Sequence, residues 1–386
     1  MRLFRLPARR RLSFELHSPQ ALRNLNALAR TGHKKMPHHD TVAYLMQRVP
    51  LGGMRWLRGH IVRRLLRSRA LEKFRLLKNY YLVAVDGSGF LSFRRRHCPH
   101  CLKKEYPGGN VIYYHPVLEA KLVCPNGLAI SIGTEFIENP DGAEKEDCEL
   151  KAFRRLIPRV RKSFPRLPIC LLLDALYLNQ TVMGLCDGHR MEWIATFKEG
   201  SLPDAYAEFE ALCGLAPENR FESTHKNTQR TYRWMNDMTH QDHTFSAFEC
   251  VEKKKGEDKP TRFLWATSLR VSKLNVEHLS LQGGRLRWKI ENEGFNVQKN
   301  RGFGLGHPYS ENWNAAKAFY IALQIAHLID QLISKSNLLG DSPAELFGSG
   351  EAFATRLLEA WRNFCLSAET LNRQLSKRYQ IRLHGY

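Results

Sequence analysis

Apolar residues along this chain recur in two rhythms, and the places where one replaces the other outline its architecture. Over residues 18–29 leucines and alanines fall at helical spacing, and residues 41–48 continue the pattern, with Asp40 as the expected N-cap and Pro50 as a stop. After Gly52-Gly53, residues 54–77 read as one or two helices studded with arginines. At Tyr80 the rhythm changes. Tyr80-Tyr81-Leu82-Val83-Ala84-Val85 is apolar on both alternating faces, the pattern of a strand covered on both sides, and it ends at Asp86-Gly87. Residues 111–114, 117–123 and 128–137 read as further strands, the last two joined by a Pro125-Asn126-Gly127 hairpin turn. A break at Asp141-Gly142 precedes a helix with an acidic start that runs to about Phe164. Pro168-Ile169-Cys170-Leu171-Leu172-Leu173 then repeats the buried strand, ending at Asp174, before a helix from Ala175 to about Gly184 and a strand over 191–197. This alternation predicts an α/β fold, a mixed sheet flanked by helices.

Residues 201–280 differ in character. Tyr232-Arg233-Trp234, residues 243–251 and residues 262–267 are alternating or aromatic strands between polar loops, which predicts a β-rich insertion. Beyond it, residues 287–299 are helix-compatible, residues 313–335 form a long helix apolar on most of one side, and residues 353–366 form an amphipathic one. The expected organisation is a basic helical segment over 1–78, a core in two parts over 79–200 and 281–338, the insertion over 201–280, and a C-terminal helical region over 339–386.

Charge adds a partner to this outline. Lys and Arg number 59 against 38 Asp and Glu, a net charge of +21, which favours a polyanion and points to nucleic acid. The arginine-rich first segment is the candidate DNA-docking module, with Arg63, Arg64 and Arg67 as candidate contacts. No run approaches the ~18 uninterrupted apolar residues of a membrane span. The first fourteen residues lack the apolar core of a secretory signal, and the nine cysteines read as mostly reduced thiols in a cytoplasm. The His33, His38 and His39 group reads as a polar loop rather than a metal site. His97-Cys98-Pro99-His100-Cys101 carries half of a zinc site, whose other half would have to come from His115, Cys124 or Cys148; free thiols in a loop are the favoured reading.

Three carboxylates carry the candidate chemistry. Asp86 and Asp174 close the two buried strands, and Glu291 shares one side of the 287–299 helix with Arg287, Trp288, Phe295 and Lys299, while Glu293 points away. Each has an ordinary alternative: an Asp-Gly turn for Asp86 and an i,i+4 ion pair of Arg287 with Glu291. If the strands are parallel neighbours, the aspartates converge, and a helix on that sheet can bring in the glutamate. Three carboxylates together require divalent cations, and oxygen-only ligation selects Mg²⁺ or Mn²⁺. Two such ions about 4 Å apart suit in-line phosphoryl displacement.

The stretches Val-Ala-Val-Asp86-Gly-Ser, Leu-Leu-Leu-Asp174-Ala and Arg287-Trp288-Lys-Ile-Glu291-Asn-Glu-Gly-Phe295 resemble, in this order, the DDE transposases of bacterial insertion sequences, of the insertion-sequence-four type. The resemblance covers about Tyr80 to Ser334, with gaps of 88 residues (86 to 174) and 117 residues (174 to 291) between the acids. It implies an RNase H-like catalytic core in which Asp86, Asp174 and Glu291 hold two Mg²⁺ ions. The implied activity is cleavage of phosphodiester bonds at the transposon's terminal inverted repeats, then joining of the 3′-OH ends to target DNA. A homodimer on double-stranded DNA, in the bacterial cytoplasm at the nucleoid, is implied as well. Arg287 matches the family's signature arginine, but the tyrosine position holds Gly284 and the lysine position Gln298, with Lys299 one residue later. Arg287 and Lys299 are expected to grip phosphates. Trp234 is a candidate for stacking on an extruded base, although a core aromatic is the favoured reading. A metal-dependent DNA nuclease without strand transfer, or a decayed protein that only binds transposon ends, are the alternatives.

Overall fold

Strand β1, Tyr81–Phe93, lies near the middle of a ten-stranded mixed sheet. The computed structural model describes residues 2–6, 8–96, 98–139, 147–257 and 259–385. His97 and the Asp141-Gly142 break fall outside them. On one side β1 pairs antiparallel with β3, Val111–Val123, whose outer edge is shared by β2, Leu102–Glu105, and β4, Ala129–Phe136. On the other side β1 runs parallel to β5, Ile169–Leu173, and β5 parallel to β6, Glu192–Thr196. Parallel neighbours need crossovers, which here contain the helices α5, Glu149–Ser163, and α6, Gln180–Gly188. The α/β expectation therefore holds.

Strand periodicity sorts the apolar residues into two layers. Val83, Val85, Leu171 and Leu173 face α5 through Leu156, Ile157 and Val160. Leu82, Ala84, Cys170 and Leu172 face the opposite layer, with Leu286, Ile290 and Phe295 of a helical segment over 276–300 and Tyr320 and Leu323 of the long helix α10, Trp313–Ser334.

Two strand boundaries differ from expectation. β1 does not stop at Asp86 but continues through the glycines to Phe93, because β3 pairs with it on both sides of a register shift at Phe90, Asp86 opposite Glu119 among the pairs. The stretches expected as two strands over 111–123 are one. Pro116 is tolerated inside it because it sits where β1 shifts register between Gly89 and Leu91, so no regular ladder bond is lost to its missing N–H.

The insertion contributes α7, Pro203–Leu215, and strands β7, Arg220–His225, β8, Thr228–His240, β9, His243–Lys254, and β10, Thr261–Thr267. These strands do not form a separate sheet. β10 pairs antiparallel with β6 and extends the central sheet at that edge.

In the N-terminal segment α2, Pro19–Ala29, is capped by Ser18; α3, His39–Arg48, by His38 rather than Asp40; and α4, Leu51–Arg67, runs straight through the Gly52-Gly53 pair. This segment is not detached. α3 and α4 rest on α10, while Asn24 of α2 donates to the carbonyls of Trp361 and Phe364, at 2.9 and 2.7 Å, at the end of α12, Gly350–Asn363. Among the described residues no helix is long and apolar enough to cross a membrane.

Candidate active site

The register of β1 on β5 decides the geometry of the acids. Tyr81 pairs with Ile169 and Ala84 with Leu172, and the same step carried two residues on sets Asp86 beside Asp174, which directly follows β5. Neighbouring strands lie about 4.8 Å apart, so the two carboxylates leave adjacent backbone positions on the same face of the sheet. Asp174 caps the tight turn after β5, its Oδ1 accepting from the Leu176 N–H at 2.7 Å. Burial pushes the Asp86 carboxyl up to about 6; Arg287 and the Gly87 N–H oppose that shift, and the charges of Glu149 and Asp174 add to it.

Arg287 is buried and reaches Asp86 Oδ2 with its Nη1 at 3.5 Å. The ordinary alternative, an i,i+4 pair of Arg287 with Glu291, does not form; among the described residues Glu291 forms no ion pair. The cause is the winding of the segment over 276–300. It passes through a π-helical turn at Leu279–Gly283, a 3₁₀ stretch at Gly284–Trp288, a second π stretch at Ile290–Asn296 and a final α turn at Val297–Asn300. A 3₁₀ helix advances faster around its axis than an α-helix and a π-helix more slowly. The side expected to carry Arg287, Trp288, Glu291, Phe295 and Lys299 together is therefore divided. Arg287 and Phe295 face the sheet, Glu291 is half-buried, and Trp288 and Lys299 are exposed. The 3₁₀ part crosses β5, β6 and β1, and the second π part crosses β1, β3 and β4, so Glu291 stands about one turn beyond Arg287 on the segment covering Asp86. Asp86, Asp174 and Glu291 do not form a cluster with donor atoms all within 4.8 Å; among the described residues such clusters are Cys98 with Cys101 and His115, and the exposed His38 with His39 and Asp40.

A further acid stands at the same place. Glu149, the first residue of α5, accepts a hydrogen bond from the Tyr177 hydroxyl at 3.0 Å, and its carboxylate lies so close to Gly87 that a side chain there would displace it. Burial raises the Glu149 carboxyl, the Tyr177 bond lowers it, and Asp174 raises it further. In the sequence Glu149 reads only as the acidic start of a helix. Its meaning comes from the glycine next to Asp86, which leaves room for it.

Clefts open on both sides of the aspartates. One, of about 420 Å³, is lined by Asp174, Lys198, Arg262, Arg285, Arg287 and Trp288 among others. The second, of about 610 Å³, runs along Gly87–Ser92 with Glu149, Lys104, Tyr106 and Lys299. Cations thus flank a carboxylate pair on both sides, an arrangement that attracts a polyanion and confronts it with the acids. Trp288, 55% exposed, is the aromatic at the rim, its indole lying under the Arg287 guanidinium at 4.3 Å. Trp234, by contrast, is 4% exposed in the apolar layer around Tyr232 and Phe248, so it is a core residue and not a stacking platform. On α4, Arg64 and Arg67 are exposed, while Arg63 donates to the Ser163 carbonyl at 3.4 Å.

The two departures from the family signature have physical counterparts. The indole of Trp265 packs directly on Gly284, leaving no room for a side chain where the signature has tyrosine. Gln298 is fully buried and exchanges hydrogen bonds with Gln324 of α10, at 2.9 and 3.1 Å, and with His327. Gln324 also accepts from the buried Lys121 of β3 at 2.7 Å, and Lys121 faces Glu119 at 3.6 Å. A polar network thus fastens the end of the 276–300 segment to α10 and β3. No family model matches the chain, and no curated protein matches it.

Proposed function

We propose that this chain is a DNA transposase of the insertion-sequence-four type, cleaving at transposon ends and joining them to target DNA on an RNase H-like core. The observation that carries the reading is the parallel register of β1 on β5, which carried two residues past Ala84 and Leu172 sets Asp86 beside Asp174, beneath the segment that bears Arg287 and Glu291. The mixed sheet is compatible with it as well: β4-β3-β1-β5-β6 has β3 antiparallel to its neighbours and β1, β5 and β6 parallel, and β7 to β10 come from the segment between Asp174 and Glu291.

The electrostatics at Asp86 suit a hard divalent cation. Burial and two neighbouring carboxylates hold the Asp86 carboxyl up at about 6, and Arg287 only partly offsets them, so a cation of higher charge would relieve the site. Asp86, Asp174 and Glu291 are the oxygen donors that would hold two Mg²⁺ or Mn²⁺ ions, and Glu149 stands next to them. When bound, such ions activate water as the nucleophile and stabilise the leaving 3′ oxygen. The chain itself supplies the grip on the substrate. Lys198, Arg285 and Arg287 on one side and Lys104 and Lys299 on the other meet DNA phosphates along the two clefts. Arg287 keeps Asp86 oriented, and Trp288 offers a face for a base displaced at the cut. Pairing of two DNA ends by a homodimer in the bacterial cytoplasm belongs to the same proposal.

The decisive assay incubates the protein with its element's own end DNA and Mg²⁺. Cleavage at the ends, abolished by EDTA and by Asp86→Ala or Asp174→Ala with DNA binding retained, is the expected result. Pre-cut ends should insert into a plasmid; cleavage without insertion makes the protein a nuclease instead. Ends left intact under every divalent cation overturn the proposal.

A further inference from the structure

The cysteines after β1 meet a histidine that is distant in sequence. Cys98 and Cys101 come from the turn that leads into β2, and His115 lies on β3 opposite Leu91 of β1. Their donor atoms form a small triangle. Cys98 Sγ is 3.7 Å from Cys101 Sγ and 3.3 Å from His115 Nε2, and Cys101 Sγ is 3.4 Å from the same nitrogen. Around a tetrahedral zinc ion, with Zn–S near 2.3 Å and Zn–N near 2.0 Å, two sulfurs stand about 3.8 Å apart and a sulfur and a nitrogen about 3.5 Å apart. All three edges agree with that figure within a few tenths of an ångström. A disulfide would require the sulfurs to stand about 2.05 Å apart. Cys101 and His115 are buried, and the Trp313 indole stacks on the His115 ring with centroids 4.0 Å apart, which holds the imidazole in this orientation. Cys124 and Cys148, the other partners considered for the Cys-x-x-Cys pair, are not in the cluster.

We propose that Cys98, Cys101 and His115 bind a structural zinc ion. The two thiolates and one imidazole supply three of the four positions of a tetrahedral site. Soft sulfur donors select zinc over the magnesium or manganese suited to the aspartates, so the molecule holds two kinds of metal site with different chemistry. The zinc ties the turn after β1 to the middle of β3. That fastens the β2–β3 hairpin, whose Lys104, Tyr106 and Tyr114 wall the cleft beside Gly87 and Glu149. The proposal does not depend on the reading of the acids, since its ligands and its measurement are separate from theirs.

Metal content of the full-length protein, purified reduced and without chelator, tests it. About one equivalent of zinc is expected, exchangeable for cobalt with the absorption bands of a tetrahedral, thiolate-bound ion. Cys98→Ser, Cys101→Ser and His115→Phe should lose the metal, and His115→Cys should keep it, because a third thiolate serves as well as an imidazole. Should the variants fail to fold, alkylation of the wild-type protein decides. Cys98 and Cys101 should resist alkylation until a chelator is added, while the exposed Cys148 and Cys365 react throughout. A protein that takes up no zinc when reduced, metal retained in Cys98→Ser and Cys101→Ser, or alkylation indifferent to chelator overturns the site.

Discussion

The guanidinium of Arg287 lies 3.5 Å from the carboxylate of Asp86, 201 residues away along the chain. That contact holds the half-buried acid in the site, and partial burial still keeps its proton to about pH 6. Replacing Arg287 with Ala should raise the Asp86 titration further, and Asp174→Asn should lower it, because one removes an attracting charge and the other a repelling one. Carboxyl ¹³C NMR titration of the metal-free protein reads both shifts. A midpoint in the ordinary range near 4 would sink this account.

The same shift predicts a pH dependence of stability. The folded carboxyl of Asp86 keeps its proton to about 6, whereas the unfolded one releases it near 4. Between those values the folded state binds more protons, so stability falls as pH rises through this window. Asp86→Asn should remove that part of the slope in urea titrations without metal, measured at pH 4 and pH 7.

Glu149 should matter to metal binding although it was not among the acids expected from the sequence. It lies beside Gly87 and interacts electrostatically with both Asp86 and Asp174. Glu149→Gln is expected to weaken Mg²⁺ affinity about tenfold to a hundredfold, the range for residues adjoining metal ligands. Calorimetric titration measures it; an unchanged affinity would make Glu149 a helix-start acid and nothing more.

Lys121 and Glu119 are both fully buried, and desolvation drives the Lys121 ammonium down to about 8, partly against the pull of Glu119. Glu119→Gln leaves a buried cation without its counter-charge and should cost roughly 3–5 kcal/mol in urea unfolding. The double change Glu119→Gln with Lys121→Met should recover most of that loss. Above pH 8 the unfolded lysine still holds a proton that the folded one has released, so wild-type stability should rise with pH toward 10.

The two tryptophans separate function from packing. Trp288→Ala, at the exposed rim of the cleft, should weaken binding to a DNA end with an unpaired base by about 1–3 kcal/mol and leave the melting temperature unchanged. Trp234→Ala, in the core, should instead destabilise the fold by roughly 3–5 kcal/mol. The reverse pattern would make Trp234 the stacking residue.

Much of this site was legible along the chain. Val83 to Val85 and Leu171 to Leu173 announce strands covered on both sides, since only such strands are apolar at every position, and the acids that follow them stand out for that reason. The Cys-x-x-Cys pair was equally visible, with His115 among three partners named for it; which of the three meets it was decided by the pairing of β2 with β3, which sets Leu102 opposite Tyr114. The end of β1 was misplaced for a similar reason. Asp-Gly is a turn signal, and it is overridden where β3 pairs with Asp86, Gly87 and the residues beyond.

Patterns that a residue carries in its own immediate neighbourhood could be read directly: helix and strand periodicity, the excess of positive charge, and side chains of the types that can ligate metals. That Asp86 and Asp174 follow neighbouring parallel strands was settled by strand register. Where Arg287 and Glu291 point was settled by π and 3₁₀ turns wound against the sheet, and the place of Glu149 by the missing side chain of Gly87. Those outcomes come from contacts between segments far apart in sequence, whose energies are not contained in the residues next to either partner.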